Sequence, residues 1–382
     1  MRVRNSFADE ICKRAPHRPS AGDKPITNLP RASDAEALLW YAFSSRRLSR
    51  RRHIHASQPH RARYFEMSWA RRILVHASES AWLRDHAPRL RFVQRASQRF
   101  LPGERLDDAM AAARRLADSG VASLITHLGE NVRDRSEAEA VTRDYLGILE
   151  RIRAASLPSE ISVKLTQLGL DVEREFCFAN LMQLVEAAAK ADPAASGRNS
   201  VWIDMEQSSY VDATLELHRR ARESHRNVGV CVQAYLRRTA QDVASLISLG
   251  ATVRLVKGAY SEPPDVAFEK KSEVDKNFLR LAQTLLSAEA RSAGVRAVMG
   301  THDRALIARI TGWAAAQGIA KNQIEFATLY GIQRAEQLRL AGEGFRSSVL
   351  ISYGSYWFPW YMRRLAERPA NVLFLARNFF AK

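Results

Sequence analysis

Residues 121–132 read VASLITHLGENV, an apolar run that breaks into a polar turn holding a single glycine. A doubly wound nucleotide-binding sheet follows its first strand with a G-x-G-x-x-G turn, and this turn lacks it. Seven further runs of the same kind succeed it: ISVKLTQLG (161–169), VWIDMEQ (201–207), VGVCVQAY (228–235), TVRLVKGAY (252–260), VRAVMGTHD (295–303), QIEFATLYG (323–331) and SSVLISYG (347–354). Stretches with helical spacing separate them, among them EAEAVTRDYLGILERIRAA, FANLMQLVEAAAKA and ALIARITGWAAAQG. Eight strands, each followed by a helix, predict a closed parallel barrel of the α/β class, a (βα)8 TIM-type fold.

Upstream, ERLDDAMAAARRLADSG (104–120) spaces Leu106, Met110, Ala113 and Leu116 as one helical face, with Gly120 as its stop. Residues 1–66 mix Pro, Ser, His and Arg without periodicity, as in RRLSRRRHIHASQPHRARY, and read as a basic disordered extension. That extension is either a segment ahead of a start at Met67 or a tail without function, or else an Arg-rich arm for targeting or for anionic lipid. The expected organisation is then 1–66 extension, 67–119 N-terminal helical segment, 120–369 barrel and 370–382 tail.

Charge follows the same division. The 382 residues carry 58 Lys/Arg against 41 Asp/Glu, a formal +17. Residues 1–66 hold 14 basic and 6 acidic groups, and residues 67–100 hold 7 and 2, so +13 lies ahead of the barrel. A nucleic-acid-binding body needs its basic face in the folded part, which here is almost balanced. Nucleic acid is therefore not an expected partner; a basic nucleic-acid or membrane-surface binder built on a scaffold barrel is the non-enzyme alternative. Cys12, Cys177 and Cys231 form no CxxC pair, so neither a zinc site nor another metal site is indicated, and a reducing cytoplasmic location is expected. No apolar run approaches the ~18 residues that a membrane span needs.

In such barrels chemistry sits at the C-terminal mouth, so polar residues late in the strands are site candidates. They are Lys164; Asp204 and Glu206; Gln233 and Tyr235; Arg254 and Lys257; Thr301, His302 and Asp303; Glu325 and Tyr330; and Tyr353. Each has a plain structural alternative: Asp204 with Arg254 as an interior ion pair, His302 as part of a helix cap. Converging charges from most strands are costly unless they are paired or meet a ligand. After the eighth strand, YGSYWFPWYMRRLAERPAN places Arg363 and Arg364 beside Trp357, Trp360 and Tyr361. The two guanidiniums lie about 100° apart on a helix and reach one anion only if that helix crosses the mouth. They would then clamp a carboxylate or phosphate; the alternative is an ordinary i,i+4 pair of Arg363 with Glu367.

Taken in order, THLGENV, ISVKLTQLG, WIDMEQ, VQAYLRRT, VRLVKGAYSEPP, GTHD, EFATLYGIQ and YGSYWFPWYMRRLAERPANV resemble the bacterial monofunctional proline dehydrogenases. The resemblance runs from about residue 92 to residue 374. It implies a distorted barrel that binds FAD noncovalently, oxidises L-proline to Δ1-pyrroline-5-carboxylate by hydride transfer to flavin N5, and passes electrons to membrane quinone. With no NAD-binding region beside the barrel in 382 residues, a separate pyrroline-5-carboxylate dehydrogenase is the expected partner for the product. The N-terminal basicity suits peripheral adhesion to the inner face of the anionic cell membrane where the quinone resides. By resemblance, Lys164, Arg363 and Arg364 hold the proline carboxylate. Leu329, Tyr353, Trp360 and Tyr361 surround the ring, and Glu367 holds the two arginines. Gln233, Arg254, Lys257, Gly258 and Ala259 match flavin contacts, Thr301 and His302 match contacts further along the cofactor, and Asp204 matches the partner that orients Arg254.

Given the flavin that the resemblance implies, fixed cations such as Arg254 and Lys257 suit negative charge developing on its reduced form. Three departures stand out. Trp360 occupies a position where the family has Tyr, with Tyr361 one place along; Ala327-Thr328 and Gly300 also differ. The indole motivates a second reading, a flavin dehydrogenase of another cyclic amino acid such as hydroxyproline or pipecolate.

Overall fold

Short β-branched runs flanked by amphipathic helices fold as the alternation predicts. The computed structural model describes residues 100–129, 132–190 and 199–358. Leu106–Ala117 (α1) precedes the first strand. The alternation then runs Ala122–His127 (β1), Arg135–Ala154 (α2), Ser159–Val163 (β2), Arg174–Ala189 (α3), Val201–Ile203 (β3) and Val211–Ser224 (α4). It continues through Val228–Gln233 (β4), Thr239–Ser248 (α5), Thr252–Val256 (β5), Lys271–Leu285 (α6), Ala288–Ser292 (α7) and Arg296–Gly300 (β6). Arg304–Ala316 (α8), Glu325–Leu329 (β7), Arg334–Gly342 (α9) and Arg346–Tyr353 (β8) complete it. The strands pair in parallel and in sequence order, and β1 to β8 closes the ring with Ala122 opposite Ser348 and His127 opposite Tyr353. Helix starts are set by side chains: Asp134 Oδ1 accepts from Ser136 N and Glu137 N ahead of α2, and Asp303 Oδ1 accepts from Ala305 N and Leu306 N ahead of α8.

Strand alternation sorts side chains into two sets. Ile125, Ile161, Val163, Val201, Ile203, Val349 and Ile351 lie in the layer between barrel and helices, with α1 and α2 packed on them. Leu124, Trp202, Val298, Ala327 and Leu350 point inward and form a small apolar plug. Above and below the plug most inward positions are polar. Below it, Glu160 is wholly buried and takes a bidentate pair from Arg296, Nη1 to Oε1 at 2.7 Å and Nη2 to Oε2 at 2.9 Å. Arg296 also binds Glu325 through Nε and Nη2, both at 3.0 Å. Trp202 Nε1 and Ser200 N donate to Glu160 at 3.0 Å each, which satisfies its remaining lone pairs. Glu325 thus belongs to the bottom of the barrel: it is the first residue of β7, and strand polarity carries it away from the mouth where the sequence reading grouped it.

Outside the ring, His218 of α4 is fully buried, and burial followed by the charge of Arg222 pushes its ring down to about 3. Below pH 6.5 the unfolded chain takes up a proton that the folded chain refuses, so stability falls as pH drops. Between pH 6.5 and 5 the loss from this residue is expected to be roughly 2 kcal/mol. Urea unfolding of wild type and His218→Leu at pH 7.5, 6.5 and 5 checks it; equal pH slopes for the two would refute it.

Candidate active site

At the C-terminal end of the ring the next inward position of each strand, or the residue just beyond it, forms the floor of the mouth. Going round, these are Thr126, Lys164, Asp204, Gln233, Val256, Gly300, Leu329 and Ser352. Lys164 and Asp204 stand one residue past β2 and β3, and Lys257 one past β5, so the strands are shorter than the apolar runs suggest.

Arg254, 4 % exposed, lies beneath this floor on β5. Its Nη2 donates to Ser162 Oγ at 2.8 Å and to Asp204 Oδ1, while Ser162 Oγ donates to the same carboxylate oxygen at 2.9 Å. Its guanidinium carbon is 5.1 Å from the centroid of the Trp202 ring, whose other cation is Arg296 at 5.3 Å. The charge is therefore fixed by three strands before any ligand arrives.

On the neighbouring rim Lys257 Nζ meets Asp275 Oδ1 of α6 at 2.5 Å and Asp303 Oδ2 at 3.0 Å, and Lys271 Nζ bridges the same two carboxylates. Burial works against the ionised Asp303, but the hydrogen bond and charge of Lys257 outweigh it and hold the carboxyl at about 2. Two ammonium groups and two carboxylates leave this cluster neutral. Asp303 N donates to Thr301 Oγ1 at 3.1 Å, and Leu329 N donates to His302 Nε2 at 2.8 Å. Hence Asp303, not His302, caps α8, and His302 ties the sixth strand to the seventh. Gly258 adopts φ +108, and a Cβ there would meet Tyr235 Cδ1 at 2.1 Å, so the tyrosine ring lies directly on the glycine backbone. Ala259 beside it is exposed.

Lys164 Nζ donates to Gly129 O at 3.1 Å, joining the turns after β2 and β1. Leu329 is the last inward residue of β7. Tyr353 follows Ile351 along β8, and its ring stacks on His127 with centroids 5.1 Å apart. It stands at the rim between β8 and β1, and Gly354, at φ +119, leaves room for the His127 ring. Trp360, Tyr361, Arg363, Arg364 and Glu367 lie outside the described residues.

The candidates therefore divide by position. Gln233, Arg254, Lys257, Gly258, Ala259, Thr301 and His302 occupy one arc, from β4 to β6. Lys164 and Leu329 lie on the opposite arc, which runs from β7 through β8 and β1 to β2. Asp204, on β3, bridges them through Arg254.

Sequence reading missed Tyr145 and Ser352 and left open what Glu206 and Gln233 bond to. Tyr145 on α2 reads as one more apolar stripe residue, yet its hydroxyl accepts from His127 N at 3.1 Å and donates to Ser162 O at 3.0 Å, pinning the ends of β1 and β2. Glu206, read as a mouth residue, instead accepts from Thr166 N and Thr166 Oγ1 and locks two turns together. Gln233 is 2 % exposed; its Nε2 donates to Met205 O at 3.3 Å, while its Oε1 has no partner among the described residues. A buried acceptor left open at the mouth fits a ligand that brings an N–H, as the pyrimidine edge of a flavin does. Ser352 Oγ on the other arc is equally enclosed and equally open.

Comparison with known proteins bears on what such a mouth does. The family described as Proline dehydrogenase matches residues 109–377. The chain is similar to Proline dehydrogenase 1 of Bacillus subtilis (strain 168), with 36% identity over 286 residues, 75% of this chain and 91% of the relative. It is also similar to Proline dehydrogenase of Deinococcus radiodurans, with 34% identity over 284 residues, 74% and 89% of the two chains. Among solved structures, proline utilization A from Bdellovibrio bacteriovorus, inactivated by N-propargylglycine, shares the fold. Its TM-score is 0.66 at 24% identity, and the match covers 76% of this chain and 34% of that one.

Proposed function

From the premise that this chain belongs to the proline dehydrogenase family, in its monofunctional bacterial form, we propose that it oxidises L-proline to Δ1-pyrroline-5-carboxylate with FAD as its flavin. The reading is supported by the two arcs of the mouth: groups that suit a flavin gather on one, and groups that suit an amino acid on the other. FAD, when bound, supplies the hydride acceptor at N5. Gln233, Lys257, Gly258, Ala259, Thr301 and His302 would hold it, and Gln233 Oε1 offers the open acceptor.

The chain's own residues do the rest. Asp204 and Ser162 fix Arg254, so a positive charge stands beneath the floor without reorganising. Lys164, with Arg363 and Arg364, anchors the proline carboxylate; Leu329, Trp360 and Tyr361 enclose the ring, and Glu367 steadies the arginine pair. Anchoring the carboxylate at one end fixes the ring C–H toward the opposite arc, and this positioning supplies much of the rate. Membrane quinone as onward acceptor, a separate dehydrogenase for the product and a peripheral cytoplasmic location complete the proposal. No helix among the described residues is long and apolar enough to cross a membrane.

The protein reconstituted with FAD is expected to be yellow and to bleach anaerobically on addition of L-proline. A spectrum indifferent to proline would overturn the reading. Hydroxyproline and pipecolate in the same cuvette test the substrate preference that Trp360 raises.

A further inference from the structure

Ser352 is 1 % exposed, and its hydroxyl has no hydrogen-bond partner among the described residues. Alternation along β8 fixes its direction: Leu350 packs into the interior plug, Ile351 and Tyr353 into the outer layer, so Ser352 faces inward, one layer above the plug. In register it lies opposite Thr126 of β1. The floor on this arc therefore reads Leu329, Ser352, Thr126, Lys164, an apolar side chain at one end and a cation at the other. Thr126 Oγ1 already has the Tyr145 hydroxyl at 3.4 Å, whereas a buried hydroxyl with nothing to bond is retained at a cost unless a ligand meets it.

We propose that Ser352 Oγ accepts the N–H of the substrate's secondary amine and so selects a ring nitrogen at that position. The proposal rests on the proline-oxidising reading. In an α-amino acid the amine and the carboxylate share one carbon, so a carboxylate held at Lys164 sets the nitrogen beside it on the floor while the methylenes turn toward Leu329. Ser352 stands between those two ends. A hydroxyl there accepts a hydrogen bond from the charged or the neutral amine, and a methylene in the nitrogen's place would leave it unpaired. No proton is transferred to the serine; it orients the nitrogen.

The test compares L-proline with cyclopentanecarboxylate, which keeps ring and carboxylate but has no N–H, in the FAD-loaded full chain. Ser352→Ala removes one oxygen and adds no bulk. It is expected to lower kcat/KM for proline at least about tenfold while leaving the inhibition constant of cyclopentanecarboxylate within about twofold. Ser352→Thr, which keeps the hydroxyl, is expected to recover most of the loss. An unchanged kcat/KM in Ser352→Ala, a parallel change in both constants, or a Ser352→Thr as slow as Ser352→Ala overturns the proposal and leaves the proline reading standing. Wild-type protein that carries flavin yet ignores proline overturns the reading itself, and this proposal with it.

Discussion

Arg254→Met is expected to slow anaerobic flavin reduction by proline roughly a hundredfold to a thousandfold, the usual cost of deleting one preorganised group that meets charge developing in the transition state. Arg254 is placed for that effect because it is desolvated and held from two sides before substrate binds. Its removal also strands the Asp204 carboxylate, which is largely enclosed. Breaking a buried pair by removing one partner costs about 3 kcal/mol or more. The two effects separate in the double variant Arg254→Met/Asp204→Asn, which removes both charges: folding stability is expected to return toward wild type while reduction stays slow. Stopped-flow bleaching and urea unfolding on the same three proteins read the two quantities. A single variant that reduces within about threefold of wild type would remove Arg254 from the chemistry.

A second large effect is expected at the opposite end of the barrel. Arg296→Met leaves Glu160 and Glu325 facing each other with side chains almost wholly buried, and the loss is expected to reach about 3–5 kcal/mol at neutral pH. The sign with pH is opposite to that of His218. Both carboxyls of the variant would have folded-state pKa values above their unfolded ones, so the folded state binds the extra protons and the variant gains relative stability as pH falls toward 5. Adding Glu160→Gln and Glu325→Gln is expected to restore much of the loss at pH 7. Because this network lies below the plug, the proline reaction of whatever fraction stays folded should keep its wild-type rate per flavin. Thermal unfolding across pH for the single and triple variants checks both statements; a single variant as stable as wild type at pH 7 would refute them.

The fold was legible because each strand of a parallel barrel is buried on both faces and so appears as a continuous apolar run, and because the turn after residue 127 lacks the glycines of a dinucleotide sheet. Which end of the barrel a polar residue serves was less legible. Glu325 and Glu206 carry the same chemistry as Asp204, but only pairing and register show that one seals the bottom and another locks a turn. Tyr353 marks the same limit: its place at the end of a strand is read from sequence, while the stacking of its ring on His127 is not. Tyr145 was hidden because a phenol on an apolar helix face cannot be told from a core aromatic until its hydroxyl has a partner. Ser352 was hidden for the converse reason, since an absent partner leaves no trace in a sequence.

The two arcs of the mouth differ in where their strands sit along the chain. The proposed cofactor arc uses β4, β5 and β6, neighbours in sequence. The amino-acid arc joins β7 and β8 to β1 and β2, across the seam where Thr126 pairs with Ser352. On a ribosome, the proposed cofactor arc has all its strands once residue 300 has emerged, whereas the proposed amino-acid arc waits for the last strand and for its long-range closure onto the first. On the proposed division, substrate recognition is the final product of assembly, and an unfinished or unclosed chain is expected to lack the amino-acid pocket even where its cofactor arc has formed.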